Sequence, residues 1–169
     1  LTPTAGEITT CGEKIGPKSK ALVSYLPDRT CFSRQRKVTE LLDFFGDFYT
    51  DFDRQRAEQM LTALGIDPDA RFRTLSKGTQ GKVQLVLTMS RRARLYLLDE
   101  PIGGVDPAAP DYILNTLIHI YDPSATVLIS THLISDVERV LDEFLFLYQG
   151  RVIQKGEADA VREETGKSL

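Results

Sequence analysis

The sequence predicts an α/β protein built on a mostly parallel sheet. Three observations predict it. Leu95-Tyr96-Leu97-Leu98 and Thr126-Val127-Leu128-Ile129 are short aliphatic runs, the pattern of strands covered on both faces. Segments with apolar residues at helical spacing lie between such runs. The first run ends in Asp99-Glu100-Pro101, two adjacent carboxylates at a strand's carboxyl end, where open α/β sheets bind ligands.

Gly6 to Ile15 alternates around Cys11-Gly12 and predicts strand, turn and strand. Ala21–Leu26 is a further apolar strand, closed by Pro27-Asp28. Val38, Leu41, Leu42 and Phe45 keep i, i+3, i+4, i+7 spacing and predict a helix with Gly46 as its stop. Ala57, Met60, Leu61 and Leu64 repeat that spacing, with Gly65 as the C-terminal cap. Val83, Val86 and Leu87 put a third helix directly after Leu75–Gln80. Beyond the acidic strand come a helix carrying Ile113, Leu114, Leu117 and Ile118, the strand Thr126–Ser130, and a short helix with Val137, Val140 and Leu141. Phe144–Tyr148, the Gln149-Gly150 turn and Val152-Ile153 form a closing hairpin. Residues 1–169 read as one domain, with a helical subdomain over about 34–90 inserted in the α/β core.

A chain of 169 residues is long enough for one proper core. Its 21 basic and 24 acidic residues, net charge -3, oppose a broad footprint for nucleic acid or anionic lipid, although a local basic patch stays open. Cys11 and Cys31 follow no metal-binding or disulfide pattern and suit a reducing compartment. No apolar run approaches the roughly 20 residues that span a bilayer, and no signal peptide is expected. The chain is therefore expected to be soluble and to meet a membrane only through a partner. A start at Leu1 rather than methionine is expected of a piece of a longer chain or a cleavage product.

Two carboxylates buried at a strand end need cationic compensation, which Mg²⁺ with a phosphate chain would supply. The plain alternative is a strand ending in two solvated acids. Ser76-Lys77-Gly78 at a helix start has the logic of an anion site, with a hydroxyl, a positive charge and a close-approach glycine on the helix dipole. An ordinary Ser-capped helix accounts for the same residues.

Taken in order, Leu75-Ser76-Lys77-Gly78-Thr79-Gln80, Leu95–Pro101, Gly103-Gly104-Val105-Asp106-Pro107 and Thr126–His132 resemble the second half of the ATP-binding domain of ABC transporters. The resemblance runs from Pro3–Ile8 to near Gly150. It implies a P-loop NTPase-like (RecA-like) α/β fold, here N-terminally truncated. It also implies roles. Asp99 is the carboxylate that holds Mg²⁺, usually through water. Glu100, facing the other way if strand alternation continues, is the catalytic base for the attacking water. His132 resembles the switch histidine on the γ-phosphate, where a surface histidine at a strand end is the alternative. Ser76, Lys77, Gly78 and Thr79 resemble the signature, with lysine and threonine replacing the commoner glycine and glutamine. That segment acts on ATP held by a second subunit. Asp106 falls in the D-loop of the same dimer interface, although a plain Gly-rich turn also fits. Asp28 stands where glutamine is usual and could join the Mg²⁺ shell, with a shorter reach. His119 lies off its helix stripe and is expected to be solvated.

The phosphate-cradling pattern G-x-x-x-x-G-K-[ST] is absent from these residues. Gly166-Lys167-Ser168 has Val161 where the first glycine belongs, and Gly81-Lys82 has Ser76 there and Val83 after it. In the family that loop lies upstream of the part resembled by Pro3–Ile8. The expectation is an ATP-binding and ATP-hydrolysing subunit of an ABC transporter, weak in ATP binding and inactive as this chain alone. It would pair with a second ATP-binding subunit and with transmembrane permease subunits, at the cytoplasmic side of the membrane. The alternatives are a DNA-associated ABC-type ATPase, disfavoured by the charge and by the lack of coiled coil or zinc module, and a non-enzymatic fragment lending its signature in trans.

Overall fold

The computed structural model describes residues 4–28, 32, 35–101, 122 and 124–165. Gly103–Pro107 with Asp106, the helix expected around Ile113–Ile118, His119, Cys31 and Gly166–Ser168 lie outside the described residues.

A short hairpin opens the chain, β1 (Thr9–Thr10) against β2 (Glu13–Lys14). Cys11 (φ 53°) and Gly12 (φ 80°) form its turn, in the left-handed region that tight hairpins require. The paired part is shorter than the Gly6–Ile15 alternation predicts. The next expectation needs a correction. Ala21 is not strand but the last residue of helix α1 (Pro17–Ala21), which starts behind Gly16 with proline at its first position. Leu22 caps the helix, and strand β3 begins at Val23 and ends at Leu26.

Helices α2 (Val38–Phe48), α3 (Arg54–Ala63) and α4 (Lys77–Met89) separate β3 from β4 (Leu95–Asp99). The buried residues of α2 are Val38, Leu41, Leu42 and Phe45, the four that the spacing picks out. Gly46 does not stop this helix. Two further residues follow, because Phe48 stacks on Phe44 one turn back, with centroids 5.9 Å apart, and extended Tyr49 makes the break. Asp53 caps α3 by accepting from Arg56 N at 3.0 Å. Gly65 (φ 63°) ends it, and bonds from Gly65 N to Thr62 O and Ile66 N to Leu61 O close the turn. From Val83 to Ser90 every residue of α4 and its cap is buried, so this end runs through the core.

β3, β4 and β5 (Thr126–Ser130) form a parallel sheet in that order, with Leu26 opposite Leu98 and Asp99 opposite Ser130. Ser24, Leu26, Tyr96 and Leu98 are buried on the face that meets α4, and they share one core with α2 and α3. Burial at Tyr96 pushes its phenol pKa up, and its hydroxyl donates to the carbonyl of Arg91. On the other face Leu95 and Leu97 of β4 are half-buried, whereas Leu128 of β5 is 54% exposed, short of the two-sided cover that its aliphatic run predicts, and Tyr25 of β3 is 56% exposed.

A helix α5 (Ile134–Val137) passes into a 3-10 turn, Glu138–Val140, which leaves Leu141 outside the predicted helix. β6 (Glu143–Tyr148) and β7 (Arg151–Glu157) make the expected antiparallel hairpin around Gln149-Gly150, as a separate two-stranded sheet. A final helix, α6 (Ala158–Thr165), has no counterpart in the sequence reading.

Candidate functional site

The carboxyl ends of β4 and β5 lie side by side, so the residues that follow each strand meet. Asp99 and Ser130 are register partners, and the Ser130 hydroxyl donates to Asp99 Oδ1 at 2.6 Å. Glu100 does not sit on the strand, so alternation of strand neighbours does not set its direction. It adopts φ 47°, a left-handed conformation uncommon for glutamate, with its N–H bonded to Ser130 O at 2.9 Å. The turn sends its carboxylate toward residues 131 and 132. Thr131 Oγ1 donates to Glu100 Oε2 at 3.2 Å, and the same hydroxyl accepts from Leu133 N at 3.0 Å. His132 Nδ1 lies 2.8 Å from Glu100 Oε1. An ionised carboxylate only accepts, so Nδ1 carries the shared proton.

These acids are less buried than the aliphatic run suggests. The Glu100 side chain is 26% exposed and the His132 ring 73%. Asp99 is likewise half-buried. Water therefore shares in compensating the charges.

Asp28 is exposed, two residues beyond Leu26, whose partner Leu98 precedes Asp99. It thus falls at the same end of the sheet. As hard oxygen donors, Asp99 and Asp28 fit Mg²⁺, which commonly takes one or two carboxylates and completes its shell with water and phosphate. No cluster of three or more His, Cys, Asp or Glu side chains suited to a metal occurs among the described residues.

The Ser76–Thr79 segment forms the start of α4. Ser76 is its cap, accepting from Thr79 N at 3.1 Å and meeting the Thr79 hydroxyl at 2.9 Å. Gln80 Nε2 donates to Phe72 O and Leu75 O, both at 3.0 Å, which pins the preceding 3-10 turn, Phe72–Thr74, against the helix start. Lys77 is exposed and Gly78 half-buried. Only five residues, 90–94, join α4 to β4, and Ser24 near the start of β3 donates to Thr88 O near the end of α4 at 2.8 Å. The end of helix α4 is therefore held at the amino ends of β3 and β4, and its capped start is the end away from that joint. Among the described residues no hydrogen bond or ion pair joins residues 76–79 to Asp99, Glu100 or His132.

The structure thus brings Asp99, Glu100 and His132 together and keeps Ser76, Lys77, Gly78 and Thr79 on a separate helix start. Sequence reasoning did not single out Ser130 and Thr131. Their signal was a hydroxyl pair directly before His132 at the end of an apolar strand.

Comparison with known proteins gives a consistent picture. The family model described as ABC transporter matches residues 1–103. An uncharacterised ABC transporter ATP-binding protein of Alkalihalophilus pseudofirmus is 29% identical over 96% of this chain and 62% of its own length. The ABC transporter ATP-binding protein YtrB of Bacillus subtilis is 28% identical over 88% of this chain and 51% of its own. The Nod factor export ATP-binding protein I of a Rhizobium species is 28% identical over 96% of this chain and 56% of its own. Among solved structures, an ATP-binding subunit of an ABC transporter superposes with a TM-score of 0.84 at 28% identity, over 98% of this chain and 72% of that one. CbiO1 of Clostridium perfringens, part of the CbiONQ transporter complex, gives 0.75 at 25% identity, over 97% of this chain and 70% of that one. The chain spans roughly half to three-fifths of the length of these curated relatives.

Proposed function

This chain belongs to the ABC transporter family and has the fold of its ATPase domains, and from that premise we propose that it provides the hydrolytic half of an ATP site. The observation that carries the reading is Glu100, turned off the end of β4 and held between Thr131 and His132. A carboxylate oriented by two donors, next to a second carboxylate suited to Mg²⁺, has the parts needed to take a proton from water attacking a phosphate.

Glu100 accepts that proton. Thr131 and His132 hold the carboxylate in one rotamer, which lowers the entropy lost when water is positioned. Asp99, oriented by Ser130, and Asp28 would hold Mg²⁺, which would supply charge neutralisation at the phosphates. The Ser76–Thr79 helix start faces the phosphates of nucleotide bound to a second ATP-binding subunit, with Lys77 adding charge, and Asp106 acts at the same junction. Residues of about 34–90 form a helical subdomain that carries this start. Transmembrane permease subunits are the further partners, which places the chain at the cytoplasmic face of a membrane, with no nucleic acid involved. No helix among the described residues is long and apolar enough to cross a membrane.

With no G-x-x-x-x-G-K-[ST] pattern in its residues, the chain by itself binds ATP weakly and does not turn it over. Fusing the P-loop-bearing N-terminal segment of an ABC ATP-binding relative ahead of Leu1 tests the reading. ATP turnover is expected to appear in the fusion and to vanish with Glu100→Gln while nucleotide binding is retained. A folded fusion that binds nucleotide and hydrolyses it equally with Glu100→Gln, or does not hydrolyse it at all, overturns it.

A further inference from the structure

We propose that Arg91 is a positioning residue, a single buried guanidinium that locks α2 and α3 to the sheet. It thereby sets where the start of α4 stands relative to the ends of β4 and β5. The proposal rests on the function above only for the identity of the site being positioned.

The Arg91 side chain is 3% exposed and follows Ser90, the C-terminal cap of α4. Its Nε and Nη2 donate to Asp51 Oδ1 and Oδ2, each at 3.0 Å. Nη1 donates to Val23 O at 2.6 Å, and Nη2 also to Ala21 O at 2.8 Å. The guanidinium lies over the Tyr49 ring, 3.9 Å from its centroid. All of these partners fall in two places, the loop between α2 and α3 and the entry to β3. Two backbone bonds reinforce the joint, Arg92 N to Asp51 O at 2.9 Å and Asp53 N to Ser90 O at 2.7 Å. The Tyr96 hydroxyl, donating to Arg91 O, ties in β4.

Apolar packing between helices and sheet is non-directional and tolerates small rotations. A planar fork on a carboxylate fixes an angle as well as a distance. Arg91 supplies the directional part of the contact. Its position gives it leverage. The joint lies at the amino ends of β3 and β4, whereas Ser76 stands at the opposite end of α4, about 20 Å away for a helix of this length. A tilt at the joint is amplified at the helix start.

Spin labels on Gln59→Cys in α3 and Thr126→Cys in β5, both exposed positions, read this orientation as a distance distribution by pulsed electron resonance. The background carries Cys11→Ser and Cys31→Ser, so no other thiol is labelled. One narrow peak is expected with Arg91 and Asp51 intact. Asp51→Asn, which keeps the volume and removes the bidentate acceptor, is expected to lose that peak with the far-ultraviolet dichroism retained. Arg91→Lys should do the same, and Asp51→Glu should restore the peak. A narrow peak persisting in both disruptive variants overturns the proposal. So does parallel loss of helix and strand signal, because Arg91 is then a plain core residue. No nucleotide enters the measurement, so its outcome is separate from that of the ATPase reading.

Discussion

Glu100 Oε1 and His132 Nδ1 stand 2.8 Å apart although 32 residues separate them in the chain. Parallel pairing of β4 with β5 in a register that puts Asp99 opposite Ser130 makes the contact possible. If Glu100 is the base, Glu100→Gln keeps the size and loses the proton acceptor. Turnover in the assembled ATPase is expected to fall about 100- to 10,000-fold, with nucleotide binding retained. Steady-state hydrolysis and nucleotide-binding titrations on the same preparation check both halves.

Ser130 orients Asp99 and is not itself proposed to touch nucleotide. Ser130→Ala is expected to raise the Mg²⁺ concentration for half-maximal turnover by about 10-fold, the usual scale for losing a partner that orients a metal ligand. A Mg²⁺ titration of turnover measures it. An unchanged midpoint would show that the hydroxyl does not tune the metal site.

Asp53 gives a pH-dependent handle on folding. The Arg56 N–H, and then the Arg92 guanidinium, hold its carboxyl below the usual range. A depressed folded pKa contributes stability that is complete above the unfolded value, about 3.9, and is lost as pH falls through the folded value. Asp53→Asn keeps an N-cap acceptor but cannot titrate. Urea unfolding between neutral pH and about pH 3 should show a shallower acid loss in the variant than in the parent.

Two phenylalanines should respond to very different extents. Phe72 is 0% exposed and meets Phe32 edge-on with ring centroids 6.0 Å apart, so Phe72→Ala is expected to cost about 3–5 kcal/mol. Phe48 is 67% exposed on α2, and Phe48→Ala should stay within about 1 kcal/mol. Paired denaturation curves decide this.

The helical stripes were legible because helical period and burial coincide. In α2 the residues at i, i+3, i+4, i+7 are the buried ones. Caps were legible at Gly65 and Ser76, whereas the Asp53 cap of α3 was not read from the sequence. Gly65 was read as a stop and is one, whereas Gly46 was read as a stop and lies inside the helix, because ring stacking one turn apart outweighs glycine's weak helix preference. The direction of Glu100 was not legible. Alternation holds along a strand, and a residue one step past its end follows the turn instead.

Residue order by itself determined the strongly periodic helices α2, α3 and α4, the strands β4 and β5, the acids at the end of β4, the hydroxyl that caps α4 and the imidazole after β5, but neither α1 nor α6. These are local, set by spacing along the chain. Only the tertiary structure decided that Glu100 meets His132, that Ser130 holds Asp99, and that one arginine binds groups 40, 68 and 70 residues away. Such partners are chosen by strand register and by the shared core, and a hydrogen bond across that distance in sequence leaves no pattern near either end.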